Sequence, residues 1–167
     1  MSKPKLLSDS FESGETDMSK ISDLLTQFMN IPNASPKTMA EVEKICSIKT
    51  CSPNEIIYRE HEASRSLYIV ISGQVDIQYL LKDGRRKTLD NCMAGDYLLW
   101  SSLIEPHKTN SIGISRTTSE LLKIDGKQLM EICSSDTEFG FRMMSLIASV
   151  IRRRLQAARH QLSFHTL

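Results

Sequence analysis

The side chains that most often bind metals or carry out catalysis are scattered along this chain. The cysteines contain no CxxC pair and the histidines show no ligand spacing, whereas a zinc site usually takes at least one close pair from a turn. The sequence shows no nucleophile, base and orienting group as a set, no glycine-rich phosphate loop and no paired carboxylates on one element. It therefore predicts a non-enzymatic protein with no metal site, whose thiols are reduced and mostly buried. The residues concerned are Cys46, Cys51, Cys92, Cys133, His61, His107, His160 and His165.

Length and charge narrow the class of protein further. The 167 residues fit one compact domain with short appendages. A net charge of +1, from 21 basic and 20 acidic side chains, gives no overall field that would draw the molecule to nucleic acid or to an anionic membrane. No stretch approaches the roughly 20 apolar residues of a membrane span, and the N-terminus lacks the apolar core of a signal peptide. We expect a cytoplasmic protein.

The N-terminal part divides into a tail and two helices. Residues 1–20 are rich in Ser, Lys, Asp and Glu, so we predict a disordered tail. Apolar residues recur at helical spacing from Ile21 to Met29, and Ser35 followed by Pro36 opens a second helix that extends through Cys46. We assign residues 21–134 to one domain and residues 135–167 to a long C-terminal helix.

The central part of the chain consists of short apolar segments separated by turns. Residues 67–71 form a continuous apolar run, whereas Val75, Ile77, Tyr79 and Leu81 alternate with polar residues, which is typical of a strand with one solvated face. Strands are predicted at residues 56–58, 67–71, 75–81, 86–92, 112–116 and 120–124. Turn signals separate them, among them Lys82-Asp83-Gly84-Arg85 with a glycine available for positive φ. Short strands at hairpin spacing favour a β-roll or jelly roll with flanking helices, a mainly β fold of the α+β type.

The C-terminal helix carries a broad apolar stripe. A short helix capped by Asp125 precedes it, and Ser135-x-x-Glu138 reads as its capping box. The stripe covers more turns than a small roll can bury, so we predict a parallel homodimer through this helix. A helix folded back on its own domain is the alternative. The stripe comprises Phe139, Met143, Leu146, Ile147, Val150, Ile151, Leu155, Ala158 and Leu162.

Three consecutive arginines, Arg152, Arg153 and Arg154, lie on the same helix. Consecutive residues point in three directions around a helix, so we interpret them as a solvated flank rather than as one basic face. Docking to an acidic partner protein or to lipid head groups is the alternative.

The order of these elements resembles the effector domain of the Crp/Fnr group and other cyclic-nucleotide-binding proteins. Residues 67–76, LYIVISGQVD, resemble the family's strand-glycine-strand signature, and residues 54–57 resemble its G-E-x-I entry, with Asn54 in place of glycine. Residues 94–109, AGDYLLWSSLIEPHKT, are similar to the GD-x-x-GW-S-x-L-x-P-P region of small bacterial members that consist of one such domain without a helix-turn-helix. The resemblance covers about residues 28–162 and implies the cyclic-nucleotide-binding β-roll, with a last helix that pairs two subunits.

In family members that bind cyclic AMP or cyclic GMP, a phosphate-binding cassette presents a Gly-Glu pair and, some ten residues later, an arginine. The corresponding positions here are Leu99 and Trp100, and Lys108, Thr109 and Asn110. Each lost charge-assisted hydrogen bond costs about 1.5 to 3 kcal/mol, so the resemblance implies a degenerate cassette. We interpret Trp100 as a core residue that closes the roll, with stacking on a base as the alternative. The candidate ligand-binding residues are Gly95, Leu98, Leu99, Trp100, Ser101, Lys108, Thr109 and Asn110.

The function that this resemblance implies is a regulatory or sensor module. One alternative is a structural or protein-interaction dimer that binds no small molecule, and another is a small cupin-type metalloenzyme. No cofactor is expected beyond a cyclic nucleotide or another phosphate ligand in the pocket. The expected partners are a second copy of the chain and an unidentified protein. DNA is not expected, since the sequence stops at Leu167, where a Crp-type regulator would begin its helix-turn-helix.

Overall fold

The computed structural model describes the backbone of residues 9–164 and the side chains of residues 17–160. Helices and strands follow the predicted order, with the strands in the centre of the chain and helices at both ends. The elements are α1 (Asp9–Phe28), α2 (Pro36–Lys44), β1 (Cys46–Cys51), β2 (Ile56–Tyr58), β3 (Ser66–Ser72), β4 (Val75–Leu80), β5 (Arg86–Cys92), β6 (Tyr97–Leu98), a 3-10 helix (Trp100–Leu103), β7 (Ile112–Ser115), β8 (Ser119–Asp125), α3 (Gly126–Ser135) and α4 (Thr137–Phe164).

The strands form two four-stranded antiparallel sheets. One sheet has the order β1-β8-β3-β6 and the other the order β2-β7-β4-β5. The predicted strands are all present, and the predicted fold class, mainly β with flanking helices, is confirmed. At the turn between β3 and β4, Gly73 has a φ of +82°, and a Cβ there would overlap the hydroxyl of Ser119. A glycine at this turn is therefore required by both backbone and space.

Two strands were not predicted. The segment of β1 was assigned in part to the second helix, but that helix ends at Lys44 and the chain then pairs with β8 from Cys46 to Cys51. The two-residue strand β6 pairs with β3 through Tyr97 and Leu98. Both depend on partners far away in the sequence, which local propensity does not report.

The helices and the first sheet enclose the main core of the domain. Residues from α1, α3 and α4 meet the inward-facing residues of β3 and β8, among them Ile69 and Leu122. A smaller inter-sheet core lies between the two sheets. It comprises Cys51, Val70, Val75, Ile77, Cys92, Leu98 and Leu121.

The first helix begins twelve residues earlier than predicted. The prediction of a disordered tail is wrong for residues 9–20, which continue α1, while residues 1–8 lie outside the described part of the chain. Ile21, Leu24 and Leu25 are buried in the main core. Extending a helix that packing has already nucleated costs little, so the polar turns before Ile21 remain helical.

Helix capping is confirmed in two places and corrected in a third. Ser35 accepts a hydrogen bond from the Thr38 amide, and Asp125 accepts one from the Gln128 amide, both as predicted. The predicted capping box at Ser135 is wrong. The N-cap of α4 is Asp136, whose carboxylate accepts from the Phe139 amide at 3.0 Å, because α3 continues through Ser135 and occupies its backbone.

The apolar stripe of α4 divides into two faces. Phe139, Met143, Ile147 and Val150 are buried in the main core, so they cannot form the predicted dimer seam. Leu146 also packs partly against this core. Their spacing of three or four residues keeps them on one side of the helix, which is the side that faces the sheet. The side chain of Leu162 lies outside the described residues.

The chemistry-bearing side chains remain dispersed in the folded chain. Cys51, Cys92 and Cys133 are buried and Cys46 is partly buried, all as free thiols. Burial raises the pKa of Cys92 to about 12, an effect that nearby Arg154 opposes. Among residues 17–160, no three His, Cys, Asp or Glu side chains come together as a metal site would require. None of the described helices has the length and apolar character of a membrane span.

Candidate ligand-binding pocket

The 3-10 helix at residues 100–103 begins from an unusual backbone conformation. Leu99 directly follows β6 and has φ 57° and ψ 37°, in the left-handed region. The chain then turns tightly, and the Ser102 amide donates to the Leu99 carbonyl at 2.9 Å. This conformation costs a residue with a Cβ about 1 to 2 kcal/mol, so the surrounding structure must hold it.

A small pocket of about 200 Å³, here called the Trp100 pocket, lies beneath this turn and beside the loop at residues 104–111. Six of the eight predicted ligand-binding residues line it, namely Leu99, Trp100, Ser101, Lys108, Thr109 and Asn110. The other lining residues are Tyr58, Ile77, Tyr79, Ile104, Glu105, Pro106, Ser111 and Arg154.

Gly95 and Leu98, also predicted as ligand-binding residues, do not line the Trp100 pocket. Gly95 forms the turn before β6 with a φ of +90°, and its amide donates to the Val70 carbonyl at 2.8 Å. Leu98 is fully buried in the inter-sheet core. Strand alternation explains the second case, since a two-residue strand points one of its side chains inward between the sheets.

Thr109 lines the pocket, but its hydrogen-bonding groups hold the neighbouring loop. Its hydroxyl donates to the Arg59 carbonyl, and its amide donates to the Glu62 carbonyl at 3.0 Å. Its own carbonyl accepts from the His61 amide. This buried threonine therefore shapes the pocket wall and has little hydrogen-bonding capacity left for a ligand.

Aromatic rings form much of the wall. Tyr58 is buried, its hydroxyl lies 3.4 Å from the Ser111 hydroxyl, and burial raises its pKa to about 12. A Cβ at Gly113 would overlap the Tyr58 ring, so glycine is what lets the ring lie against β7. Trp100 is partly buried, contacting the main core while also lining the pocket. Trp100 therefore contacts the core, as predicted, and also lines the pocket.

Arg154 contributes a guanidinium to the Trp100 pocket from α4. Its Nη2 donates to the Tyr97 carbonyl at 2.6 Å and to the Cys92 sulfur at 3.1 Å. The prediction of a solvated flank is therefore wrong for Arg154, although Arg152 and Arg153 are exposed. A signal was present in the sequence, because Arg154 follows Val150 by four residues and so continues the buried face of α4.

Lys108 is the second cation of the pocket. Its side chain is exposed, and its backbone forms an isolated β-bridge with Ala63. Glu105 is the only carboxylate among the lining residues of the described chain. The lining therefore combines aromatic surface, hydroxyl groups and two cations with one carboxylate, while Asp90, 3.6 Å from the Arg154 Nε, offsets part of the positive charge. Aromatic rings beside cations suit a small anion that carries a flat ring.

A larger groove of about 1160 Å³ lies on the other side of the 3-10 helix, against α3. Its walls carry cations and carboxylates together, including Arg65, Lys127, Glu105 and Glu131. The Ser102 hydroxyl at its edge is buried without a hydrogen-bond partner among the described residues. The mixed charges favour no one ligand class, so the Trp100 pocket is the stronger candidate site.

Comparisons with known structures reproduce this architecture. A cyclic nucleotide-binding domain from Methylobacillus flagellatus superposes with a TM-score of 0.76 at 10% identity, covering 92% of this chain and 86% of that one. The Thermus thermophilus catabolite activator protein gives 0.63 at 18% identity, over 81% of this chain and 62% of that one. The regulatory subunit of a cAMP-independent protein kinase A from Trypanosoma brucei gives 0.68 at 17% identity, over 92% and 53%.

The sequence itself matches a family model. None of the curated proteins compared with the chain matches it significantly. The model for the cyclic nucleotide-binding domain matches residues 48–136, which run from β1 to the N-cap of α4 and include the whole Trp100 pocket except Arg154. This match spans just over half of the chain. The chain belongs to the cyclic nucleotide-binding domain family.

Proposed function

We propose that this protein is a non-enzymatic regulatory module whose Trp100 pocket binds a small anionic ligand. The observation that carries this proposal is the left-handed turn at Leu99, placed over a pocket with aromatic rings, hydroxyl groups and two cations. The proposal is supported by the sequence resemblance, which aligns residues of this pocket with the family's phosphate-binding cassette. Binding there is transmitted to α4, because Arg154 joins that helix to the pocket.

The side chains of the pocket differ from those of the family's cassette. Leu99 stands at the position of the glycine and keeps the left-handed backbone, while Trp100 stands at the position of the glutamate. A ribose hydroxyl thus loses its carboxylate acceptor, which costs about 1.5 to 3 kcal/mol. Stacking on Trp100 offsets part of this loss, since base stacking on an aromatic ring contributes about 1 to 3 kcal/mol.

The size of the pocket also affects what can bind. Its volume of about 200 Å³ lies below the roughly 300 to 1,000 Å³ of ordinary ligand pockets. A nucleotide-sized ligand therefore requires the loop at residues 104–111 or the end of α4 to move outward. Through this movement, ligand binding would change the shape of the protein surface.

Calorimetric titration tests the proposal. Cyclic AMP, cyclic GMP and cyclic di-GMP are titrated into the protein, and saturable heat with at least one of them is expected. Lys108→Ala should weaken that binding about tenfold, because it removes one charge-assisted contact. Lys123→Ala, an exposed lysine on β8 away from the pocket, is the matched control and should bind like the unmodified protein. No heat with any probe would overturn the ligand-binding proposal.

A protein-interaction module that binds no small molecule is the second candidate. It is supported by the small volume of the pocket, about 200 Å³, which Leu99 and Trp100 line in place of the cassette's glycine and glutamate. A relative of the same fold is a regulatory subunit of a cAMP-independent kinase, so regulation in this fold need not involve cyclic AMP. The absence of binding heat in the titrations, together with a protein partner that binds through α4, would favour the protein-interaction module.

We propose a parallel homodimer through α4 for either candidate function, the ligand-binding module or the protein-interaction module. The residues available for it form an outer stripe with the heptad-like spacing of three and four residues. Two members are large and exposed, Phe141 at 74% and Leu155 at 50%. The outer stripe comprises Phe141, Met144, Ala148, Ile151, Leu155 and Ala158, of which Met144 and Ile151 also pack partly against the main core.

Sedimentation equilibrium at micromolar concentration tests the dimer. We expect a species of twice the 18.9 kDa chain mass, converted to the single chain by Leu155→Glu. Gln156→Glu adds the same charge beside the outer stripe and should leave the dimer intact, which controls for general repulsion. A single 18.9 kDa species of the unmodified protein would exclude the dimer at that concentration.

A further inference from the structure

Arg154 is held in the Trp100 pocket by contacts to β5 and β6. Its Nη2 donates to the Tyr97 carbonyl and the Cys92 sulfur, and its Nε lies 3.6 Å from the Asp90 carboxylate. The side chain is 24% exposed although it comes from the distal half of a long helix. A guanidinium with its plane fixed in this way is preorganised, so binding an anion costs it little conformational entropy.

The donors of this guanidinium are only partly used. Both hydrogens of Nη2 have acceptors in the protein. Nη1 makes no hydrogen bond to any other residue of the described chain. Nη2 takes part in both bidentate edges of a guanidinium, so the donors that remain are the two N–H groups of Nη1. Beside a pocket, these are available as charge-assisted contacts for single phosphate oxygens.

We infer that Arg154 is the anion-binding residue of the Trp100 pocket and takes the phosphate of an organic phosphate ester whose ring lies against Trp100. This inference rests on the proposed function of the pocket. The loop position where the resemblance places the family's arginine holds Lys108, Thr109 and Asn110, which offer one exposed point charge and no guanidinium. Arg154 supplies from α4 the guanidinium that the loop lacks.

The position of Arg154 on α4 couples occupancy to the end of the helix. An anion shared by Arg154 and Lys108 adds contacts that hold residues 151–160 against the second sheet. Without it, this segment is attached through Arg154 to a carbonyl, a thiol and one partly exposed carboxylate. Ligand binding should therefore slow amide hydrogen exchange in the distal half of α4, next to the outer stripe.

Substitution of Arg154 in the full chain tests the inference. In the titrations with cyclic AMP, cyclic GMP and cyclic di-GMP, Arg154→Gln should weaken the binding of the active probe by about tenfold or more. Arg154→Lys keeps the charge but replaces the rigid, planar guanidinium with a flexible ammonium group, so it should show an intermediate loss. Arg152→Gln removes the same charge from an exposed position on the same helix and should bind within about twofold of the unmodified protein.

A spectroscopic measurement separates ligand contact from a structural role. In a ¹⁵N–¹H spectrum of the arginine side chains, the Arg154 Nε–H signal is identified by its loss in Arg154→Lys. The probe should shift this signal, and residues 151–160 should gain protection from hydrogen exchange. Thermal melting of each variant verifies that it is folded.

The outcomes distinguish the two proposals. If a probe binds and Arg154→Gln binds it equally well, or if the Nε–H signal does not move, the role of Arg154 is refuted while the pocket stands. If no probe binds the unmodified protein, the proposed ligand-binding function fails, and the inference fails with it.

Discussion

The two sides of the β-roll differ in the chemistry of their side chains. On the helix side, the main core is almost entirely aliphatic and aromatic, and α4 buries Phe139, Met143 and Ile147 in it. On the pocket side, the inter-sheet core is small, and a left-handed Leu99 and the Arg154 guanidinium lie beside it. The first region supplies most of the buried apolar surface, whereas the second contains the polar groups and the strained turn on which the proposed function rests.

The helix α4 is the element that belongs to both sides. Its proximal turns pack on the main core, and its distal turns contact the roll through Arg154. The distal turns therefore have little apolar burial to hold them, as Leu155 illustrates at 50% exposure. Elements that move on ligand binding are drawn from segments of low local stability, so distal α4 is the element in which the proposed ligand binding should be detected.

The largest expected effect concerns the helix side and uses two phenylalanines on one helix. Phe139→Ala removes a ring that is 1% exposed and should lower the free energy of unfolding by about 3 to 5 kcal/mol. Phe141→Ala removes a ring that is 74% exposed and should change it by no more than about 0.5 kcal/mol. Urea unfolding at a protein concentration where both variants are monomeric gives both values. Similar losses would show that the two faces of α4 are not distinct.

A smaller loss of stability is expected on the pocket side. Gly113→Ala places a Cβ against the Tyr58 ring and should cost about 1 to 3 kcal/mol through overpacking. It should also shift the Tyr58 ring into the Trp100 pocket and weaken any probe that binds there. Gly84→Ala, at a hairpin turn where a Cβ meets nothing within 4 Å but φ is +81°, is the matched control: its backbone strain should lower stability and leave probe binding unchanged. If Gly113→Ala is destabilised but binds the probe as well as the unmodified protein does, Tyr58 does not contribute to the ligand-binding wall of the pocket.

Leu99→Gly should change the free energy of unfolding less than Phe139→Ala or Gly113→Ala does. The glycine relieves a left-handed conformation worth about 1 to 2 kcal/mol, which offsets the loss of a half-buried side chain. The pocket becomes larger, so a nucleotide probe should bind more tightly in calorimetry. Leu98→Gly, one residue earlier and fully buried, should instead destabilise the protein strongly. A large loss of stability in Leu99→Gly would show that the Leu99 side chain contributes to the core more than it strains the backbone.

The smallest effect is a pH dependence at the start of α4. Hydrogen bonds from the Phe139 amide and from the Thr38 hydroxyl at 2.6 Å hold the pKa of Asp136 below its usual range. The stabilisation is therefore complete above about pH 4, the ordinary pKa of Asp, and is lost as the pH falls through the lower folded value.

Asp136→Asn tests this effect in urea melts at pH 7 and at pH 3. The variant should be less stable than the unmodified protein at pH 7, and the difference should shrink at pH 3. Asp17→Asn, on the exposed surface of α1, should show no such convergence. A difference that stays constant with pH would mean that the charge of Asp136 is not what caps the helix.

Local patterns in the sequence determined most of the framework. Short apolar runs between turns, with period-two alternation in one of them, predicted six of the strands, and Ser35 and Asp125 marked two helix starts. The sequence segments around Gly73 and Gly95 carried the family resemblance. These features depend on neighbours within a few residues, where propensity and turn chemistry act directly. The correspondence with the family's cassette, drawn from residues 94–110, located six of the residues that line the Trp100 pocket.

Only the tertiary structure decided which surface each apolar or charged face would meet. Helical spacing shows that α4 has apolar faces, but the sheet selects the face with Phe139 and leaves the face with Leu155 exposed. The strand β1 exists because β8 pairs with it, and Arg154 reaches the pocket because α4 crosses the roll there. Periodicity reports a direction around one element, whereas a contact depends on where a second element lies.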